Sequence, residues 1–75
     1  MTAPPRTLLV VGATGSVGRL VVEEAIRHGY TTRALVRDPD KARRLLPEAG
    51  VVVGDVTRPE TLPQAVDGVD AVVLT

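Results

Sequence analysis

Hydrophobic positions along this chain alternate between short continuous runs and helically spaced stripes. Thr7–Val11 (TLLVV) is a β-branched and leucine run halted by Gly12, the pattern of a strand buried on both faces. From Ser16 the apolar residues fall at Val17, Leu20, Val21, Ala25 and Ile26, a helical stripe. Gly29 follows where a helix end favours a left-handed residue, and His28 in the last turn suits the negative end of the helix dipole. As a lone histidine, His28 reads as a surface residue rather than a ligand or base. Tyr30–Val36 (YTTRALV) predicts a second strand. Asp38-Pro39 opens a second helix, with Asp at the cap and Pro in the first turn, passing through Lys41, Ala42, Arg43 and Leu45 and stopping near Pro47. Gly50–Gly54 (GVVVG) predicts a third strand. Arg58-Pro59-Glu60 starts a third helix with Leu62, Ala65 and Val66 facing inward, ended by Asp67-Gly68, and Asp70–Thr75 (DAVVLT) predicts the fourth strand.

The predicted order is β-α-β-α-β-α-β with short links, which argues for an α/β fold: a doubly wound parallel sheet of Rossmann type. Right-handed crossovers carry strands 1, 2 and 3 outward in one direction and return strand 4 to the other side of strand 1. The expected spatial order is 3-2-1-4, with a crevice at the carboxyl ends of strands 1 and 4, where open α/β sheets bind ligands. Only one predicted helix covers the second face. Strand 4 is an apolar edge that expects neighbours, so residues 1–75 read as a partial domain, the first half of a larger one, with 1–6 a lead-in stiffened by Pro4 and Pro5.

Composition narrows the classes. Hydrophobic residues make up 44 % of 75, nearly all Val, Leu and Ala, which excludes a disordered chain; Tyr30 is the one aromatic. Cysteine is absent, so no disulfide or thiolate metal site staples the fold. Apolar runs are far too short for a membrane span, and MTAPPR has no apolar core of a secretory signal, so a cytoplasmic location is expected. Net charge is zero but uneven: residues 1–44 hold eight Lys/Arg and four Asp/Glu, residues 45–75 one and five. Solvated helix faces account for this without a partner. Neither a basic tail nor stacking aromatics point to nucleic acid.

The chemistry concentrates in VVGATGSVGRLV. Gly12 lies where the first strand must turn sharply, a place that often demands a positive φ. Gly15 opens the helix, where a β-carbon would stand between backbone amides and an approaching pyrophosphate; Gly18 lets the helix pack closely on the strands. With the helix dipole, these form an anion site built from free N–H groups. A glycine triplet alone could be a turn and a tight contact, but this one follows a strand, opens a helix and sits inside a βαβ unit, the context of dinucleotide binding. The spacing is G-x-x-G-x-x-G, with Thr14 where the common dehydrogenase fingerprint has glycine. The NTPase loop G-x-x-x-x-G-K-[ST] does not fit, because Val17 stands five residues beyond Gly12 and Arg19 follows Gly18.

VVGATGSVGRLVVEEAIRHGY, ALVRDPDKA and VVVGDVTRPETLPQAVDGVDAVVLT together resemble the N-terminal half of an atypical short-chain dehydrogenase/reductase. Within that superfamily they are similar to the NmrA-like and flavin reductase/biliverdin-IXβ-reductase-like NAD(P)-binding proteins. The resemblance covers the chain from Thr7 onward and is specific for fold and cofactor class, not for the reaction. It implies that Gly12, Thr14, Gly15, Ser16 and Val17 surround the pyrophosphate, that Asp55 and Val56 hold the adenine, and that Leu74 and Thr75 approach the nicotinamide-side ribose. Asp55 could equally be a turn or helix cap beside Gly54.

Arg37 stands at the end of strand two, where an acidic residue would take the ribose hydroxyls of NAD. A guanidinium pairs with a 2′-phosphate and stacks on adenine, so NADP(H) is expected in preference to NAD(H). The rival reading pairs Arg37 with Asp38 or Asp40 at the surface, and a register shift of one residue would put Asp38 at the ribose. Lys41 and Arg43 either add to the basic pocket or turn to water. No catalytic residue is identified: the short-chain Tyr-x-x-x-Lys pair is missing, since Tyr30 is followed four residues on by Ala34, and no metal-ligand cluster occurs. Any acid, base or substrate pocket would lie beyond Thr75. Two functions stay open, an NADP-dependent oxidoreductase acting on an unknown small molecule and a non-catalytic NmrA-like dinucleotide sensor. The expected partners are a dinucleotide and a small-molecule substrate, with neither nucleic acid nor membrane, and a homodimer as an open option.

Overall fold

The computed structural model describes residues 6–75. The proline lead-in expected over residues 1–6 lies, apart from Arg6, outside the described residues. Four strands, β1 (Thr7–Val11), β2 (Thr31–Val36), β3 (Gly50–Val53) and β4 (Ala71–Leu74), alternate with helices α1 (Ser16–Arg27), α2 (Pro39–Leu45) and α3 (Leu62–Val66). A single 3₁₀ turn, Pro59–Thr61, leads into α3. All pairings are parallel, in the order β3-β2-β1-β4. The predicted fold class and strand order therefore hold. Tyr30, Gly54, Asp70 and Thr75, expected at strand ends, fall just outside the strands.

Register fixes which side chains share a face. Val10 pairs with Ala34 on one side and Val73 on the other, and Ala34 pairs with Val51. Val10 and Ala34 join Ala13, Val22, Val36, Ala42 and Leu46 in the larger core, beneath α1 and α2. The alternate residues Leu9 and Leu35 meet Ala65 of α3 in a smaller core on the opposite face. Period-two alternation along strands buried on both faces thus separates two cores with one sheet between them.

The ends of α1 and α2 follow local rules. Gly29 takes φ +86°, with Gly29 N–H donating to Ile26 O and Tyr30 N–H to Ala25 O, both 3.0 Å, the Schellman arrangement. At α2, Asp38 Oδ1 accepts from the Asp40 and Lys41 N–H groups at 3.1 and 3.2 Å, and Pro39 occupies the first turn.

Two inward assignments are corrected. Val17 and Leu20 were expected in the buried stripe of α1, yet they are 63 % and 62 % exposed; the buried residues are Gly18, Val22 and Ala25. The phase of the helix is set by Gly18, whose bare Cα seats against the Gly12 carbonyl and so rotates Val17 and Leu20 off the sheet. Val66 was expected to face inward but is exposed, because the short helix α3 turns Leu62 and Ala65 to the core instead. Edge strand β4 leaves Val72 and Leu74 open.

Candidate functional site

The site begins where β1 ends. Gly12 adopts φ +82°, and its carbonyl accepts the Gly15 N–H at 3.1 Å, closing a tight turn into α1. A β-carbon on Gly12 would stand 2.5 Å from Thr75 Oγ1, and one on Gly18 would fall on the Gly12 carbonyl oxygen. Gly15 differs from both. Its φ of −74° suits any residue, and its missing β-carbon would meet only Gly12 O at an ordinary 3.4 Å. Gly15 is also the N-cap of α1, a place where Ser, Asp or Asn would satisfy an amide, and no side chain caps it. The first amides of α1 therefore face outward with no intrahelical acceptor.

Three adjoining cavities run along the carboxyl ends of the strands. The first, about 360 Å³, is lined by Gly12, Gly15, Ser16, Val17, Gly18 and Thr75. The second, about 340 Å³, brings Gly12 and Thr14 together with Arg37, Asp55, Val56 and Thr57, floored by apolar Val11, Leu35 and Val36. The third, about 120 Å³, lies between Thr14, Arg37, Asp38 and Lys41. The residues expected to hold the dinucleotide all line these cavities except Leu74, which lies on the α3 side of β4, the face of Leu9 and Val11, and is 76 % exposed. A larger cavity of about 530 Å³ lies between the carboxyl ends of α1 and α2, lined by Val22, Ile26, Leu45, Leu46 and Pro47. It is an inter-helix groove at the other end of the sheet, with an apolar floor rimmed by Glu23, Arg27 and Glu48, and holds none of the glycine-turn residues.

The charges sort themselves clearly. Arg37 forms no ion pair with any described residue; Asp40 instead pairs with Arg43 at 3.4 Å, which turns Arg43 to solvent. The carboxylate of Asp38 is engaged in capping α2. Lys41, one turn into α2, lines the small cavity beside Arg37. Asp55 Oδ1 accepts from the Thr57 N–H at 2.9 Å and the Thr57 hydroxyl at 2.7 Å, an Asx-type turn. Those two bonds hold the Asp55 carboxyl below the usual carboxylate range, with smaller help from the positive charges of Arg37 and Arg58. Asp55 is thus the turn cap that its place beside Gly54 allowed, while still lining the crevice. Thr57 and Thr61 are contributors that the sequence did not single out. The Thr61 hydroxyl accepts the Asp55 N–H at 3.0 Å, and the sequence signal for the Thr57 contact is the spacing Asp-x-Thr.

Tyr30 sits at the amino end of β2, away from the crevice. Among the described residues no group of His, Cys, Asp or Glu is placed to hold a metal ion, and no helix is long and apolar enough to cross a membrane.

Known proteins share this arrangement. A family model described as NAD(P)H-binding matches residues 12–75. The photosystem II assembly factor Ycf39 of Trieres chinensis is 45 % identical over 71 residues, covering 92 % of this chain and 22 % of that protein. The NAD(P)H azoreductase of Xenophilus azovorans is 44 % identical over 66 residues, covering 87 % of this chain and 23 % of that protein. The solved structure of AtPrR2 with NADP⁺ and (+)-pinoresinol matches with a TM-score of 0.82 at 32 % identity, covering 97 % of this chain and 26 % of that one. The chain spans less than a third of the length of each of these relatives. With its glycine turn, its strand order and these matches, the chain belongs to the NAD(P)H-binding family, as a domain of the atypical short-chain dehydrogenase/reductase, NmrA-like kind that matches the N-terminal portion of larger members.

Proposed function

We propose that this chain is the dinucleotide-binding portion of an NADP(H)-preferring oxidoreductase that transfers hydride to or from a small molecule. The observation that carries the preference is Arg37: a guanidinium in no ion pair with a described residue, beside Lys41 in the small cavity of the crevice. Two cations that form no ion pair suit a 2′-phosphate, whereas a ribose diol calls for an acceptor carboxylate. Asp38, the acid beside Arg37 and Lys41 in that cavity, is engaged as the α2 cap.

The residues fit the cofactor along its length. Gly15 leaves open the space that a side chain would take, and the α1 amides of Ser16, Val17 and Gly18 would receive the pyrophosphate, with Thr14 beside them. Asp55 and Val56 would hold the adenine on the apolar floor, and Thr75 closes the far end of the crevice beside the glycine turn, whereas Leu74 faces away from it. Bound there, the nicotinamide supplies the hydride; this portion binds and orients it. The structural relative solved with NADP⁺ supports the same cofactor class.

A second reading keeps its place because the assembly factor Ycf39 is as similar in sequence as the azoreductase. In that reading the chain binds the dinucleotide and presents its state to a partner protein without turnover. Titration of NADPH and NADH into the full chain and into Arg37→Ala tests the preference: NADPH binds more tightly to the parent, and Arg37→Ala removes the difference. Equal affinity in the parent overturns the NADP assignment. NADPH oxidation with small quinone or azo acceptors separates enzyme from sensor.

A further inference from the structure

We propose that Thr75 is a positioning residue for the phosphate-binding turn, acting through the Val11 and Gly12 carbonyls rather than by touching the ribose; this rests on the dinucleotide reading above. The Thr75 hydroxyl lies 2.8 Å from Val11 O and 3.2 Å from Gly12 O, so its one proton is shared between consecutive carbonyls and held more closely by the first. The Thr75 N–H also donates to Val11 O, at 3.1 Å. The end of β4 thereby grips the residue pair at which β1 turns into the glycine loop.

The grip matters because of what else meets the Gly12 carbonyl. That oxygen accepts the Gly15 N–H and lies against the bare Cα of Gly18. An acceptor of this kind turned toward a bound anion would repel it. Held between Gly15 N–H, the Thr75 hydroxyl and Gly18, the carbonyl keeps its negative end tied to donors, so the loop presents amides to a pyrophosphate. The missing β-carbon of Gly12 leaves room for the Thr75 side chain, since a β-carbon there would stand 2.5 Å from its hydroxyl. The two residues fit one another as a pair, although 63 positions separate them in sequence.

The test uses Thr75→Val, which keeps the shape and removes the hydroxyl, and Thr75→Ser, which keeps the hydroxyl. Both are made in the full chain, and NADPH and adenosine 2′-phosphate are titrated into each. Adenosine 2′-phosphate lacks the pyrophosphate and so does not use the turn. Thr75→Val is expected to weaken NADPH about 3- to 10-fold, the range of one lost hydrogen bond, with adenosine 2′-phosphate unchanged and Thr75→Ser close to the parent. Equal NADPH affinity in Thr75→Val, equal loss of both ligands, or failure of Thr75→Ser to rescue each overturns the proposal. A parent that binds adenosine 2′-phosphate but not NADPH overturns it too, and a parent that binds neither overturns the dinucleotide reading on which it stands.

Discussion

Gly18 packs its bare Cα directly on the carbonyl of Gly12, so closely that a β-carbon would clash with the oxygen and approach Ala13 Cα to 2.9 Å. Gly15, between them in sequence, has no such neighbour. The three glycines of one motif therefore answer to different constraints: a positive φ at Gly12, close packing at Gly18, and open space at Gly15.

That division predicts opposite phenotypes for two similar variants. Gly18→Ala must push α1 away from β1 and is expected to lose about 3 kcal/mol, the upper range for overpacking. Gly15→Ala is expected to change folding stability by less than about 1 kcal/mol while losing NADPH affinity at least about 10-fold. Urea denaturation and nucleotide titration of both proteins check this. A Gly15→Ala protein that binds NADPH as the parent does would show that a β-carbon at the α1 N-cap leaves the pyrophosphate its space.

Arg33 shows the opposite case, a residue whose purpose lies far along the chain. It stands in β2, and its Nη1 donates to the carbonyls of Ala65 and Asp67 at 2.9 and 2.8 Å, closing the carboxyl end of α3. Arg33→Met keeps the stem but leaves those carbonyls without their charged donor. A loss of about 2 kcal/mol is expected, read as a lower urea midpoint at unchanged slope. Retained stability would mean that water satisfies α3 equally well.

Asp38 carries a prediction about specificity as well as stability. As the N-cap of α2 it is expected to lose about 1 kcal/mol on replacement by alanine. Because its carboxylate is committed to the helix, Asp38→Ala should not selectively weaken NADH. A selective loss of NADH affinity would place Asp38 at the ribose and move the basic pocket off Arg37.

These residues also show where the sequence speaks and where it falls silent. The strand runs, the Asp38-Pro39 start and the Gly29 stop are local signals, each confined to one element and its cap, and the structure keeps them. Alternation with short links then leaves few topologies, which is why the order β3-β2-β1-β4 is legible from the chain alone. The phase of α1 is not. Hydrophobic periodicity weights Val17 and Leu20 and gives nothing to Gly18, yet the glycine decides which face meets the sheet. Arg33 is hidden for a related reason: a charged residue inside YTTRALV signals nothing about a helix end 32 residues later. At the crevice, the sequence supplies Arg37 and Asp55 but leaves two partners open for each. The cap at Asp38 and the Arg43–Asp40 pair remove the rival partners of Arg37, while the Thr57 bonds show Asp55 serving its turn.

Asp55 finally links the site to pH. Its folded carboxyl titrates lower than an ordinary carboxylate, first because the Thr57 N–H and hydroxyl donate to it. A depressed folded pKa means that the unfolded chain takes up the proton first as pH falls. The stabilisation is therefore complete above the unfolded value of about 3.9 and is lost progressively below it, through the lower folded value. Asp55→Asn keeps an oxygen acceptor for Thr57 but has no proton to take up. Urea midpoints of parent and variant should differ by a constant amount between about pH 7 and 5, and converge below about pH 4 as the parent loses its advantage. Parallel curves down to about pH 2 would show that the Thr57 bonds do not distinguish the charged carboxylate from the neutral acid.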